Sequence, residues 1–309
     1  MHIKERLKIF LSAEPASIIA TLPARDFEQM TELRLRAGKP MLVMLSGKEH
    51  ALTQKGKAPA TNPKAYHPTA TDIAETIERI SQYSFYAFEP ELCLGYITLP
   101  GGHRVGVSGQ AAIENGTVRA WRHISSINFR IAHSIKGCAN AVLPHLYDAN
   151  RFMHTIIISP PGFGKTTLLR DIVRQISDSG QTVGLVDERS EVAGCFKGIP
   201  QNDIGLRTDV LDGCPKAEGM VMLLRAMSPD IIAVDELGGK GDAEAAHAVQ
   251  TAGVKLLCTA HGNDIDDIRK NPVLSGLISR KIFQRYIVLN APGQAKVYNA
   301  EGDAICFKA

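Results

Sequence analysis

Residues 159–167, Ser-Pro-Pro-Gly-Phe-Gly-Lys-Thr-Thr, carry the groups needed to hold a chain of phosphates. A phosphate-binding loop of the Walker A kind reads GxxxxGK[ST]. Its glycines let backbone N–H groups approach the anion, its lysine reaches the β and γ oxygens, and its hydroxyl ligates magnesium. Gly164, Lys165 and Thr166 fill the second half of that pattern, and Ser159 stands where the first glycine is expected. A serine there is strained only if its backbone must take a positive φ. Pro160 and Pro161 have no N–H to offer. The cradle therefore has to come from Gly162, Phe163, Gly164, Lys165, Thr166 and Thr167, with the positive end of the following helix behind them. The tripeptide alone is weak evidence, since its residues are common. It gains weight from an apolar strand before it and a helix after it. The plain alternative is a Gly/Pro turn with a solvated lysine.

A second constellation suits the metal and the attacking water. Ile231-Ile232-Ala233-Val234-Asp235-Glu236 is an apolar strand ending in two acids, a Walker B pattern. Asp235, with the Thr166 hydroxyl, would hold Mg²⁺, and Glu236 would orient or activate water for attack on the γ-phosphate of ATP. A strand followed by a solvated acidic turn is the competing account. Leu185-Val186-Asp187-Glu188 repeats the motif, so Asp187 or Glu188 could assist the metal or the water. A third strand, 254–259, runs into Ala260-His261-Gly262, placing His261 where a γ-phosphate sensor would sit. In parallel α/β sheets the C-terminal strand ends are where ligands bind, so these residues are expected along one edge.

The elements that must position these groups follow from periodicity. From 154 onward short apolar runs alternate with helical stretches: strand 154–158, helix 165–177, strand 182–186, a loop, helix near 216–227, strand 230–234, helix 242–252 and strand 254–259. Strands buried on both faces read as continuous apolar runs, and such alternation predicts an α/β fold with a mostly parallel sheet. The tail 284–307 reads as strands with Gly293 and Gly302 at turns. Before 133 the style differs. Residues 1–30 read as helical, 32–36 and 41–45 as strands, and 47–70 as a loop or an edge hairpin. Thr71-Asp72 resembles a helix cap before a helix over 73–83. The runs 93–98 and 103–109 flank Pro100-Gly101-Gly102 as a hairpin, with more strand to about 132. Two domains are expected: a smaller α+β domain over 1–140 and an α/β domain over 141–309, with the linker somewhere in 133–152.

Composition narrows the function classes. The chain has 309 residues, 44% hydrophobic and 22% charged, with net charge +3. That is ordinary for a globular protein with real cores and lacks the concentrated basic character of many nucleic-acid binders. The cysteines show no CxxC spacing, so neither a zinc site nor a redox motif is indicated. No apolar run approaches the ~20 residues that span a bilayer. Any membrane connection is expected to go through partners.

The order Walker A, acidic box, Walker B and His box resembles the RecA-type ATPases of type II and type IV secretion and pilus retraction. From Glu32 onward the chain resembles a branch of that superfamily from endospore formers. The matching segments are Glu32-Leu33-Arg34-Leu35-Arg36-Ala37-Gly38, Arg104-Val105-Gly106, residues 205–213 and Arg225-Ala226-Met227-Ser228-Pro229-Asp230. The resemblance implies a RecA-like C-terminal domain, ATP and Mg²⁺ as cofactors, and a homo-hexameric ring. It also implies two arginines of the N-terminal domain, Arg104 and Arg130, reaching the phosphates. Arg225 lies one residue further upstream than the arginine that precedes Walker B in secretion ATPases. The implied setting is the mother-cell cytoplasm, peripheral to the membrane, at a channel or secretion complex crossing to the forespore.

Two rival readings remain. One is a RecA-like nucleic-acid motor, for which the Arg34/Arg36 pair gives room but no aromatic-plus-basic stripe speaks. The other is a scaffold gated by ATP with negligible turnover.

Overall fold

In the computed structural model, residues 3–82, 92–93, 95–133, 135–239 and 241–308 are described. Residue 83, the expected end of one helix, and residue 94, within an expected strand, lie outside them. The chain divides into two compact units, Met1–His133 and Ser134–Ala309.

The N-terminal unit opens with three short helices: α1 (Ile3–Phe10), α2 (Ala13–Ala20) and α3 (Ala24–Gln29). The segment 1–30 is largely helical, as its apolar pattern predicts. It is interrupted at Ser12 and Pro23, the residues that precede α2 and α3 in extended conformation. Then come β1 (Met30–Arg36), β2 (Leu42–Leu45), β3 (Lys48–Thr53), β4 (Gly56–Pro59), α4 (Ala70–Ile80), β5 (Tyr96–Leu99), β6 (His103–Glu114) and β7 (Thr117–Arg130). The strands form one seven-stranded sheet in the order β4-β3-β2-β1-β7-β6-β5. Segment 47–70 is thus an edge hairpin at its start. Helix α4 begins one residue after Thr69, not at the expected Thr71-Asp72. Thr69 and Asp72 form a reciprocal capping box, each side chain accepting the other's backbone N–H. Alternation along β1, β6 and β7 buries Leu33, Leu35, Val105, Ile127 and Phe129. It leaves Arg34, Arg36, Arg104 and Arg130 on the opposite face.

The second unit has a β8–β9 ribbon (Tyr147–Asp148 and Arg151–Phe152), then β10 (Thr155–Ser159), α5 (Lys165–Asp178), β11 (Val183–Asp187), β12 (Thr208–Asp212), α6 (Lys216–Ala226), β13 (Ile231–Val234), α7 (Asp242–Thr251) and β14 (Lys255–His261). Short helices α8 (Ile265–Lys270) and α9 (Ser275–Ser279) lead to β15 (Arg285–Ala291), β16 (Gln294–Tyr298) and β17 (Ala304–Lys308). The sheet order is β12-β11-β13-β14-β10-β15-β16-β17. Neighbours from β12 to β15 pair in parallel, and β16 and β17 are added antiparallel. This is the mostly parallel α/β sheet expected.

The sheet is covered on both faces. Leu168, Leu169, Ile172, Val173 and Ile176 of α5 pack on Ile157, Leu185, Ala233 and Leu257. Met220 and Leu223 of α6 and Ala245, Ala246 and Val249 of α7 pack against Ile156, Ile158, Val186, Ile232 and Val234. Covered on both faces, β10, β11 and β13 are buried throughout, and their central positions are apolar. Among the described residues no helix is long and apolar enough to cross a membrane.

Candidate nucleotide site

Parallel register fixes where the chemistry gathers. Ser159 at the end of β10 pairs with His261 at the end of β14, and Val234 at the end of β13 pairs with Cys258. The loops leaving these strands therefore open at one edge of the sheet. The loop after β10 needs left-handed backbone twice: Gly162 has φ +81° and Gly164 has φ +92°. No atom lies within 4 Å of a Cβ placed at either, so backbone conformation alone calls for glycine. Ser159 keeps ordinary strand backbone and is buried, its hydroxyl donating to the Pro160 carbonyl at 2.7 Å. A serine there is unstrained. Phe163 packs against the core on the α5 side of the sheet.

Helix α5 starts directly behind this turn, with Gly164 as N-cap and no side-chain cap. Its first-turn N–H groups thus lack a side-chain acceptor at the end where the helix dipole favours anions. Lys165 is buried at 6% exposure, and its Nζ lies 3.2 Å from Glu236 Oε1 and 3.3 Å from His261 Nδ1. His261 Nε2 is 2.9 Å from the same Glu236 oxygen, and Arg189 Nη1 donates to the other, Oε2, at 2.9 Å. Burial works against the Glu236 carboxylate, yet the lysine, histidine and arginine together hold its pKa below the usual range. Glu236 also sits at φ +56°, a left-handed conformation that a glutamate rarely adopts. Such strain persists where the surroundings over-determine a residue, and it clusters at working sites.

Beside it, Thr166 Oγ1 donates to Asp235 Oδ2 at 2.9 Å. Thr259, fully buried in β14, donates to Asp235 Oδ1 and accepts the Glu236 N–H at 2.8 Å. Burial pushes the Asp235 carboxyl up, against the hydrogen bonds of Thr259 and Thr166 and the charge of Lys165. A carboxylate whose charge is costly to bury gains from a divalent cation. Thr166 and Asp235 supply the one or two protein oxygens that Mg²⁺ takes when phosphate and water complete its octahedron. The uncapped helix start, the two left-handed glycines and the hydroxyl–carboxylate pair fit a magnesium-bound oligophosphate.

The structure brings together Lys165, Thr166, Asp235, Glu236 and His261. Glu188 goes elsewhere, its carboxylate paired with Lys216 of α6. Asp187 is buried and turned to its own loop, accepting the N–H groups of Glu191 (2.8 Å), Val192 (3.0 Å) and Ala193 (2.8 Å). Arg104 and Arg130 lie in the N-terminal unit, directly opposite each other across β6 and β7. The Arg104 guanidinium stacks over the Tyr96 ring at 4.6 Å. Sequence reasoning missed Thr259, Arg189 and Arg170. The buried Arg170 guanidinium donates to the Val192 and Glu191 carbonyls, both at 2.6 Å, tying α5 to the loop after β11. A threonine inside an otherwise apolar strand was the available signal for Thr259.

The chain matches the family described as sporulation stage III, protein AA over residues 1–305. It is 40% identical over 297 residues to stage III sporulation protein AA of Bacillus subtilis (strain 168), spanning 93% of this chain and 92% of that protein. Its fold is similar to that of the ATPase DotB of Legionella pneumophila, with TM-score 0.56 and 17% identity, covering 92% of this chain and 77% of that one. It is also similar to the pilus retraction motor PilT with bound ADP, with TM-score 0.54 and 18% identity, covering 93% and 77%. At these identities the two structures share its fold.

Proposed function

The chain belongs to the sporulation stage III protein AA family, and from that premise we propose that it is a Mg²⁺-dependent ATPase of the secretion-motor type. The observation that carries this reading is the cluster at one sheet edge, where Lys165 and His261 meet Glu236 while Thr166 meets Asp235. A fold shared with a motor solved with bound ADP supports it.

Bound Mg-ATP would supply the reacting phosphoryl group and the cation that neutralises its developing charge. Gly162 to Thr167 and the start of α5 hold the phosphates through backbone N–H groups. Lys165 exchanges its Glu236 contact for phosphate oxygens. Thr166 and Asp235 hold the metal. Glu236, kept ionised by its neighbours and fixed through its N–H by Thr259, accepts a hydrogen bond from the attacking water. His261, half exposed beside Glu236, is placed to read the terminal phosphate. Glu188 takes a supporting part once it leaves Lys216. Arg104 and Arg130 are the guanidinium groups that reach the phosphates in the assembled enzyme.

The motor works as a homo-hexamer in the mother-cell cytoplasm. It docks through partner proteins on a membrane channel to the forespore, which it powers or regulates. Glu236→Gln tests the site: it should bind ATP with near wild-type affinity while kcat falls by about 10²-fold or more. Unchanged kcat would move the water-activating role off Glu236. Mass in solution with and without ATP tests the ring, and a monomer under both conditions contradicts it.

A further inference from the structure

Two exposed features of the second unit lie on opposite faces of its sheet, one convex and one concave. The segment after β11 packs on the α5 side through Val192, Ala193, Cys195 and Ile204. It carries a tight turn, Phe196-Lys197-Gly198-Ile199. Phe196 and Ile199 exchange both backbone N–H···O bonds, at 2.9 and 3.0 Å, while Lys197 and Gly198 take positive φ, +51° and +75°. This is the two-residue turn of a β-hairpin, a fixed and compact shape. Ile199 is 65% exposed, and the exposed Lys197 lies with Nζ 5.5 Å from the centre of the Phe196 ring. The turn is thus a rigid tip bearing one aliphatic and one cationic side chain.

On the other face, α6 and α7 enclose a groove of about 530 Å³ lined by Ala217, Val221, Met222, Ala245 and Ala248. Met222 is 52% exposed. Glu218 and Glu244, one from each helix, also line the groove; both are exposed, and neither forms an ion pair among the described residues. A single exposed isoleucine is ordinary on a protein surface. An apolar groove open to water and bordered by two carboxylates of like charge is matched by a specific shape: an aliphatic group beside a cation on an apolar stem. The tip at 196–199 has that composition. The sheet stands between the two features, so a chain cannot seat its own tip in its own groove.

We propose that the turn at 196–199 of one copy of this chain seats in the α6–α7 groove of the next copy. Ile199 enters the apolar lining, and Lys197 lays its stem beside it with Nζ towards Glu218 and Glu244. A contact between two different surfaces on opposite faces is heterologous: every copy still offers a free tip and a free groove until the series closes into a ring. The proposal rests on the reading of this chain as a homo-oligomeric ring and names a contact that would build it. One turn buries less than the roughly 1,200 Å² of the smaller stable interfaces, so it fixes the register of neighbours and leaves part of their affinity to other contacts.

The test is a cross-link between copies of the full chain. A tagged chain carrying Ile199→Cys is mixed with an untagged chain carrying Ala248→Cys, with and without Mg-ATP, and oxidised with copper phenanthroline. A disulfide joining tagged to untagged chain is expected, and it should be missing when either variant is mixed with wild type, which controls for the native cysteines. Sedimentation at about 0.15 M salt then follows assembly. Ile199→Asp and Lys197→Glu should each weaken it about tenfold or more, since both set like charge against Glu218 and Glu244. Adding Glu244→Lys to the Lys197→Glu chain should recover most of that loss. All of these positions are exposed or half-buried, and the charge-restored pair serves if a single variant misfolds. An assembled sample with no such cross-link, or assembly unmoved by both Ile199→Asp and Lys197→Glu, overturns the contact and leaves the ring reading standing. A chain that stays monomeric with and without Mg-ATP overturns both.

Discussion

Asp187→Ala should unfold this protein more readily without first impairing the proposed Mg²⁺ dependence. The Asp187 side chain is 1% exposed, and its two oxygens accept three backbone N–H groups from residues 191–193. Each hydrogen bond to a charged group contributes about 1.5–3 kcal/mol, so three would sum to more than about 4 kcal/mol. Two effects reduce that figure. Burial pushes the Asp187 pKa up, showing that the charge itself is costly there, and the freed loop can open to water. Against this, Arg170 loses a nearby counter-charge while it remains buried. A net loss of about 3–4 kcal/mol results, the size expected for breaking a buried polar network. For a unit of this length that is roughly 6–16 °C in Tm. The assay is thermal unfolding of the full chain alongside Mg-ATP affinity measured well below the transition. The expected result is a large drop in Tm with Mg²⁺ dependence retained. An unchanged Tm with lost Mg²⁺ dependence would refute the reasoning and make Asp187 a metal ligand.

Thr259→Val keeps the shape of a fully buried side chain but removes both its bond to Asp235 and its acceptor for the Glu236 N–H. We expect a loss of about 2 kcal/mol of stability and at least about a tenfold drop in kcat, read by denaturant unfolding and steady-state ATPase; unchanged values in both would show that Glu236 is held by other means. His154 is held down to about pKa 4 by burial, with the charge of Lys255 adding to it, and its Nδ1 accepts the Leu256 N–H. Because the unfolded histidine titrates near 6.5, the unfolded state takes up a proton that the fold refuses. Stability is therefore fully present above pH 6.5 and falls as pH drops towards 4, by about 2 kcal/mol at this largely covered site. Unfolding followed over that range should show the slope, and His154→Gln should flatten it; an identical slope in the variant assigns the effect to other groups.

How far the sequence speaks for itself depends on how each segment is covered. Strands β10, β11 and β13 lie between two layers of helices, so their central residues are apolar and the run is plain to read. Strand β12 sits at the sheet edge and reads Thr-Asp-Val-Leu-Asp, which is indistinguishable from loop until β11 is there to pair with it. The helix α4 cap shows the same limit on a smaller scale. Thr69 and Thr71 are equivalent in type, and only the reciprocal bonds with Asp72 select Thr69. In the site, Lys165, Asp235, Glu236 and His261 are legible because motif spacing and strand ends coincide. Thr259, Arg189 and Arg170 act through contacts made across strands and loops, which spacing along the chain does not encode. Glu188 shows the converse. Its position after β11 resembles that of Glu236 after β13, but Lys216 of the neighbouring helix captures it.

The central claim is that Lys165, buried behind the Walker turn beside Glu236 and His261, serves ATP hydrolysis. The most direct measurement is steady-state phosphate release by the purified full chain at saturating Mg-ATP, run in parallel with Lys165→Ala and with magnesium chelated. The account predicts turnover by the wild-type chain that disappears in both controls. Substantial turnover remaining in Lys165→Ala, or none in the folded, ATP-bound wild-type chain, would contradict it.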